Sequence, residues 1–144
     1  AVAEPGSQLV KLCHRHNIEV VPCSGPSSLM LALMGSGLNG QSFAFLGYIP
    51  AKTDERRQAL KSIEKHSASA HQTKIMIETP YRNDSLFADI LNVCQGSTEL
   101  CVAADITMPN AYIMTKTVAE WKRYVAGKES IIGKRPCVFL ILAH

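Results

Sequence analysis

The sequence predicts an α/β protein with a mixed sheet flanked by helices, and three observations carry that prediction. Five short apolar or β-branched runs have strand length: Phe43–Tyr48, Lys74–Ile77, Leu100–Ala104, Tyr112–Thr115 and Cys137–Leu142. Segments of helical period separate most of them, giving the order βαβαββαβ after a glycine-rich stretch. The turn Met108-Pro109-Asn110 makes two of the strands antiparallel neighbours, because Pro109 fits a turn or an edge and not a sheet interior. A chain of 144 residues, 47% hydrophobic and 19% charged, is large enough to bury such a core.

Taken in order, Glu4 to His16 places Leu9, Val10 and Leu12 on a helix, and Asn17 ends it before the β-branched run Ile18-Glu19-Val20-Val21, which reads as a strand. Ser24-Gly25-Pro26-Ser27-Ser28 is a sharp turn into a helix over Leu29–Met34. Loops leaving strand ends are where α/β sheets bind ligands, so this one is the first candidate site. Gly35-Ser36-Gly37-Leu38-Asn39-Gly40 holds three glycines in six residues and reads as a linker or hinge at a domain boundary. Beyond it, Thr53–His66 is a charged helix with a narrow apolar stripe of Ala59, Leu60 and Ile63. The helix carrying Leu86, Phe87, Ile90, Leu91 and Cys94 has one-face spacing and stops at Gly96. Thr117-Val118-Ala119-Glu120 has capping-box spacing and opens a short helix through Trp121 and Tyr124. Cys137–Leu142 is apolar throughout and short, which predicts a buried central strand.

Composition excludes several classes. No stretch approaches the roughly 20 apolar residues of a membrane span, and Ala1-Val2-Ala3-Glu4-Pro5 is not a secretory signal. The five cysteines (Cys13, Cys23, Cys94, Cys101, Cys137) have no Cys-x-x-Cys spacing and read as reduced, mostly apolar packing groups in a cytoplasmic protein. The histidines lack convergent ligand partners, and no metal is expected. Net charge is +3, yet Lys116, Lys122, Arg123, Lys128, Lys134 and Arg135 crowd the last thirty residues against Glu120 and Glu129. That cluster reads as a solvated surface ahead of a phosphate-binding face.

The chain lacks a P-loop, a Gly-x-Ser-x-Gly elbow, a His-Glu-x-x-His motif and a dinucleotide fingerprint. Ser27 and Ser28 have no base at recognisable spacing and read as helix caps, which also leaves backbone N–H groups free near a cleft. Glu78-Thr79-Pro80-Tyr81-Arg82 puts a carboxylate at a strand end and a guanidinium at a helix start. Arg82 there is either a two-pronged grip for a phosphate or carboxylate, or half of an internal Glu–Arg pair fixing the turn.

Five short motifs in order resemble the ribosomal-RNA ribose 2′-O-methyltransferases of the tetrapyrrole methylase superfamily. They are Glu4-Pro5-Gly6; Val20-Val21-Pro22 leading to Gly25-Pro26-Ser27-Ser28; Phe45-Leu46-Gly47-Tyr48-Ile49-Pro50; Glu55-Arg56; and Glu78-x-Pro80-x-Arg82. Val102-Ala103-Ala104-Asp105-Ile106-Thr107 is similar to the family's Val-Ala-Arg-Glu-Leu-Thr, with Ala104-Asp105 where relatives carry Arg-Glu.

The resemblance implies two α/β domains with S-adenosylmethionine in the cleft between them, commonly in a homodimer. Residues 1–37 then correspond to the tail of the first domain, whose remainder is missing, and 42–144 to the second. Donor contacts are implied at Gly25, Pro26, Ser27 and Ser28, at Glu78, at Ala103 and Ala104, and at Pro136 and Cys137, largely through main-chain atoms. Glu78 is the candidate base for a ribose hydroxyl, and Arg82 its orienter or an RNA phosphate contact. The implied partner is ribosomal RNA or the small ribosomal subunit. A tetrapyrrole acceptor such as a precorrin is the rival enzyme reading, against which the Glu-x-Pro-x-Arg signature argues. The rival of another class is a non-catalytic dimerisation or binding module. These 144 residues alone are expected to be inactive.

Overall fold

The computed structural model describes residues 5–144. Glu4, which opens the first motif and the first expected helix, lies outside the described residues. The elements are α1 (Ser7–Arg15), α2 (Ser28–Ser36), β1 (Phe43–Tyr48), α3 (Thr53–Ala70), β2 (Thr73–Ile77), a 3₁₀ turn (Pro80–Arg82), α4 (Asn83–Val93), β3 (Glu99–Ala104), β4 (Tyr112–Thr117), α5 (Val118–Val125) and β5 (Cys137–Leu142). They form the expected mixed sheet with helices on its faces. Strand order is β1-β2-β5-β3-β4, with β1 and β2 parallel and every other pair antiparallel.

β5 is the central strand that its uninterrupted apolar sequence predicts, buried along its whole length. Its residues alternate between two cores. Cys137, Phe139 and Ile141 join Met76, Leu100, Val102 and Ala104 beneath α3, α4 and α5, which contribute Leu60, Leu86, Ile90, Val118 and Trp121. Val138 and Leu140 join Ile75, Cys101 and Ala103 on the other face, where α2 supplies Ala32 and Leu33. A period-2 strand apolar at every position needs cover on both faces, and the helices provide it.

Local chemistry accounts for the helices. Thr117 caps α5 through the expected box: Glu120 N–H donates to Thr117 Oγ1 at 3.2 Å, and Thr117 N–H to the Glu120 carboxylate at 2.8 Å. Trp121 then stands edge-on to Phe87 and donates its indole N–H to the Leu100 carbonyl at 2.7 Å. The inner side of α3 is less apolar than its stripe of Ala59, Leu60 and Ile63, because Arg56 and Glu64 are also buried. Arg56 donates to Asp89 (2.7 Å) and Ser85 (2.7 Å) on α4. The Glu55-Arg56 motif thus contains a structural ion pair, paired and hydrogen-bonded as a buried charge must be.

Three local expectations fail. Ile18–Val21 forms no strand; it is irregular and Ile18 and Val21 are exposed, since no strand among the described residues lies alongside to accept its backbone hydrogen bonds. Ser27 occupies the N-cap of α2 without a side-chain cap bond, so the capping role of its hydroxyl is not realised. The glycine run is not a free linker throughout. Gly35 and Ser36 complete α2, which ends at Gly37 in the left-handed conformation (φ +73°). At Gly35 an added Cβ would meet Ile113 Cδ1 at 3.1 Å, so this glycine lets α2 approach β4. Thr115 fixes that approach by donating its hydroxyl to the Ser36 carbonyl at 2.6 Å.

Candidate functional site

Strand directions bring the carboxyl ends of β1, β2 and β3 to one edge of the sheet, together with the amino end of β5. A cavity of about 310 Å³ opens there, on the α2 side. Tyr48 ends β1, Ile77 and Glu78 end β2, and Ala103 lies near the end of β3; Pro136, Cys137 and Val138 lead into β5. Ser28 at the start of α2, Pro80 after β2, and Asp105, Ile106 and Met108 after β3 complete the rim.

Of the residues marked from the sequence, the structure gathers Ser28, Glu78, Ala103, Pro136 and Cys137 on this cavity. Ala104 is adjacent but its side chain joins the opposite core, because successive strand residues face opposite sides. The sharp turn expected at Ser24–Ser28 is not formed: Gly25, Pro26 and Ser27 lie on an exposed irregular segment outside the cavity lining, with open space around Gly25. Arg82 is also outside the lining; its guanidinium stacks over Tyr81 at 5.2 Å.

Glu78 is the unusual group. It is 8% exposed, and its Oε1 accepts the Thr79 backbone N–H at 2.7 Å. Arg82 Nε donates to Thr79 Oγ1 at 3.0 Å and lies 3.7 Å from Glu78 Oε1. Arg82 thus forms the internal Glu–Arg pair at this turn, with 37% of its side chain exposed. Glu78 Oε2 is buried and has no hydrogen-bond partner among the described residues. A buried carboxylate oxygen left unpaired is costly, which sets Glu78 apart from the other groups on the lining.

Across the cavity, Asp105 adopts φ +49° and Thr107 φ +73°. A β-branched residue in that region stores strain of about 1–3 kcal/mol, which the surrounding contacts must offset. Those contacts are visible: Asp105 N–H donates to the Pro136 carbonyl at 3.0 Å, and its carboxylate accepts from Asn110 Nδ2 at 2.7 Å with Arg135 Nε at 3.9 Å. Arg135 also donates to the carbonyls of Ile131 (2.7 Å) and Ile132 (2.9 Å), and the 0%-exposed Asn83 donates to the Arg135 carbonyl at 2.7 Å. The segment delivering Pro136 and Cys137 is thus clamped to α4 and to Asp105. Burial pushes the Cys137 thiol up to about 12, so it packs as a neutral group and is no nucleophile.

Tyr48, Ile77, Asp105, Ile106, Met108 and Val138 were not assigned a role from the sequence. Tyr48 and Asp105 fall inside the quoted motifs, where their types alone reveal nothing of which way they face. Ile77 and Val138 follow from alternation once β2 and β5 are known to pair, Ile77 opposite Val138.

No protein-family model matches the chain. Over 99% of its length it superposes on 60% of the methyltransferase CobJ, with TM-score 0.60 at 13% identity. It likewise covers 60% of the uroporphyrin-III C-methyltransferase of Thermus thermophilus complexed with S-adenyl homocysteine, at TM-score 0.52 and 16% identity. The fold is that of the tetrapyrrole methylases. In sequence the chain is 34% identical over 125 residues to ribosomal RNA small subunit methyltransferase I of Vibrio cholerae, covering 87% of this chain and 42% of that protein. Its counterpart in Escherichia coli O157:H7 is 33% identical over 129 residues, 90% of this chain and 44% of that protein. The chain is similar in sequence to these ribosomal RNA methyltransferases, carries the fold of the tetrapyrrole methylases, and spans less than half the length of the relatives it matches.

Proposed function

We propose that the chain is the carboxyl-terminal part of an S-adenosylmethionine-dependent methyltransferase that methylates a ribose 2′-hydroxyl in small-subunit ribosomal RNA. In this reading residues 1–37 close a first donor-binding domain and 42–144 form the second, in a cytoplasmic homodimer. The carrying observation is the strand-end cavity, which collects Ser28, Glu78, Ala103, Pro136 and Cys137 in a chain related in sequence to ribosomal RNA methyltransferases. At about 310 Å³ it lies at the small end of the roughly 300–1,000 Å³ of ligand pockets, as one wall of a two-domain site would.

The walls fit the donor. Apolar Ile77, Ala103, Ile106, Met108 and Val138 suit a nucleoside and thioether, and the charged residues on the lining are the carboxylates Glu78 and Asp105. A sulfonium supplies a methyl group already bound to a good leaving group. The protein's work is then to align the hydroxyl, exclude water and take up its proton. In this reading Glu78 takes up that proton or accepts a hydrogen bond from the donor; its support is a place on the lining, a buried unpartnered Oε2, and an Oε1 held by Thr79 and Arg82.

The test uses the full-length protein, unmethylated small subunits and a methyl-labelled donor. Label is expected in ribose of the small-subunit RNA, protecting that linkage from alkaline cleavage. Label in a base, or none in RNA together with methylation of a porphyrinoid, overturns the reading. Glu78→Gln is expected to lower the single-turnover rate at least tenfold; an unchanged rate across pH removes Glu78 as base. The 144-residue chain alone is expected to transfer no methyl groups.

A further inference from the structure

The cationic cluster near the carboxyl end acquires a definite shape in the fold. Lys116 closes β4, Lys122 and Arg123 face outward from α5, and Lys128 follows that helix. Lys116 Nζ lies 4.9 Å and Lys128 Nζ 3.4 Å from the centroid of the Tyr124 ring, which is 40% exposed. None of these four cations forms an ion pair among the described residues, whose ion pairs involve Arg56, Arg57, Arg82, Arg135 and His144. Two carboxylates accompany them: Glu120 is turned to the helix start by the capping box, and Glu129 stands exposed next to Lys128, which leaves the four cations in excess. Hydrogen bonds from Thr117 hold the Glu120 pKa below the usual range, with smaller contributions from Arg123 and Lys116. Arg135, by contrast, is turned inward onto the Ile131 and Ile132 carbonyls and leaves the cluster.

From this arrangement we infer that Lys116, Lys122, Arg123 and Lys128, with the Tyr124 ring, form a docking surface for the sugar-phosphate backbone of RNA. Cations free of ion pairs are the chemistry that neutralises phosphates, and the Tyr124 ring holds two of them, Lys116 and Lys128, in one place. A lipid surface fits less well, because α5 presents Glu120, Lys122 and Arg123 outward and buries its Val118 and Trp121, leaving no apolar stripe to insert. The position also suits the cavity. Lys116 pairs opposite Leu100, whereas Tyr112 pairs opposite Ala104 at the cavity end, so about 13 Å of edge strand separates the two. The cavity opens on the α2 face and the cations lie on the α5 face, so RNA that engages both passes around the β4 edge.

The inference rests on the RNA reading, and the experiment separates the two. Full-length protein is titrated with transcribed, unmethylated small-subunit ribosomal RNA over a range of KCl concentrations, while S-adenosylhomocysteine binding is measured calorimetrically. Lys122→Ala/Arg123→Ala and Lys116→Gln/Lys128→Gln are each expected to weaken RNA binding at least fivefold at low salt. Each should also reduce the slope of log K against log salt by about 1–2, with S-adenosylhomocysteine affinity unchanged. Lys122 and Arg123 support no packing, so their double variant remains informative if Lys116 and Lys128 prove necessary for folding. Wild-type affinity and slope in both variants overturn the surface assignment and leave the RNA reading standing. No RNA binding by a wild-type protein that binds S-adenosylhomocysteine overturns both. Loss in the variants of retention on phosphatidylcholine–phosphatidylserine vesicles, with RNA binding unaffected, assigns the patch to a membrane and overturns the inference.

Discussion

Ile18–Val21 and Cys137–Leu142 are both short runs rich in β-branched or apolar residues, and they lie in opposite environments. The first is irregular, with Ile18 57% and Val21 69% exposed; the second is buried at every residue and hydrogen-bonded on both edges. The difference is not local preference, which favours extended backbone in both. It is the presence of neighbours: β2 and β3 flank Cys137–Leu142, and no strand among the described residues flanks Ile18–Val21. Strand formation here is a property of the pairing and the layer beneath it.

The comparison breaks most decisively in the centre. Phe139→Ala opens a cavity beneath all three covering helices and is expected to cost about 4 kcal/mol in denaturant unfolding; a loss under 1 kcal/mol would mean that β5 does not anchor the core. Alkaline pH probes the same region. Burial raises the Cys137 and Cys94 thiols to about 12 from an ordinary 9.0, so the folded state holds their protons more tightly. Their contribution to stability is complete below about pH 9 and is lost as pH rises toward 12. At pH 8, iodoacetamide should modify the exposed Cys23 and spare both buried thiols, as peptide mapping would show. Further out, Thr117→Ala removes one arm of the capping box and is expected to cost about 1 kcal/mol. Ile18→Ala/Val21→Ala in the 144-residue chain should change stability by less than about 0.5 kcal/mol. The same pair measured in the full-length protein sharpens the contrast, because a large loss there would mean that residues outside this chain cover Ile18 and Val21.

What could be read in advance follows the same division. The central strand, the antiparallel pair joined through Pro109 and the Thr117–Glu120 cap were legible because period, turn chemistry and cap spacing are written within a few residues. Glu78 was legible as a strand-end carboxylate, but its unpartnered Oε2 was not, since that depends on what Thr79 and Arg82 leave over. Arg56 and Arg135 looked like ordinary charges and prove to be internal ties, one to Asp89 and the other to main-chain carbonyls. Asp105 and Met108 reach the cavity through a loop containing left-handed residues of types that rarely adopt that conformation. No local preference predicts such a path.

The position of β5 in the chain has a consequence for biosynthesis. The β1–β2 pair and the β3–β4 pair meet only through this strand, which leaves the ribosome after all the others. Until then the nascent chain exposes two incomplete half-sheets, each with an open apolar edge of the kind that invites association with other chains. Chaperone dependence should accordingly be greatest just before residues 137–142 emerge, and deletion of these six residues should lead to degradation, not to partial function.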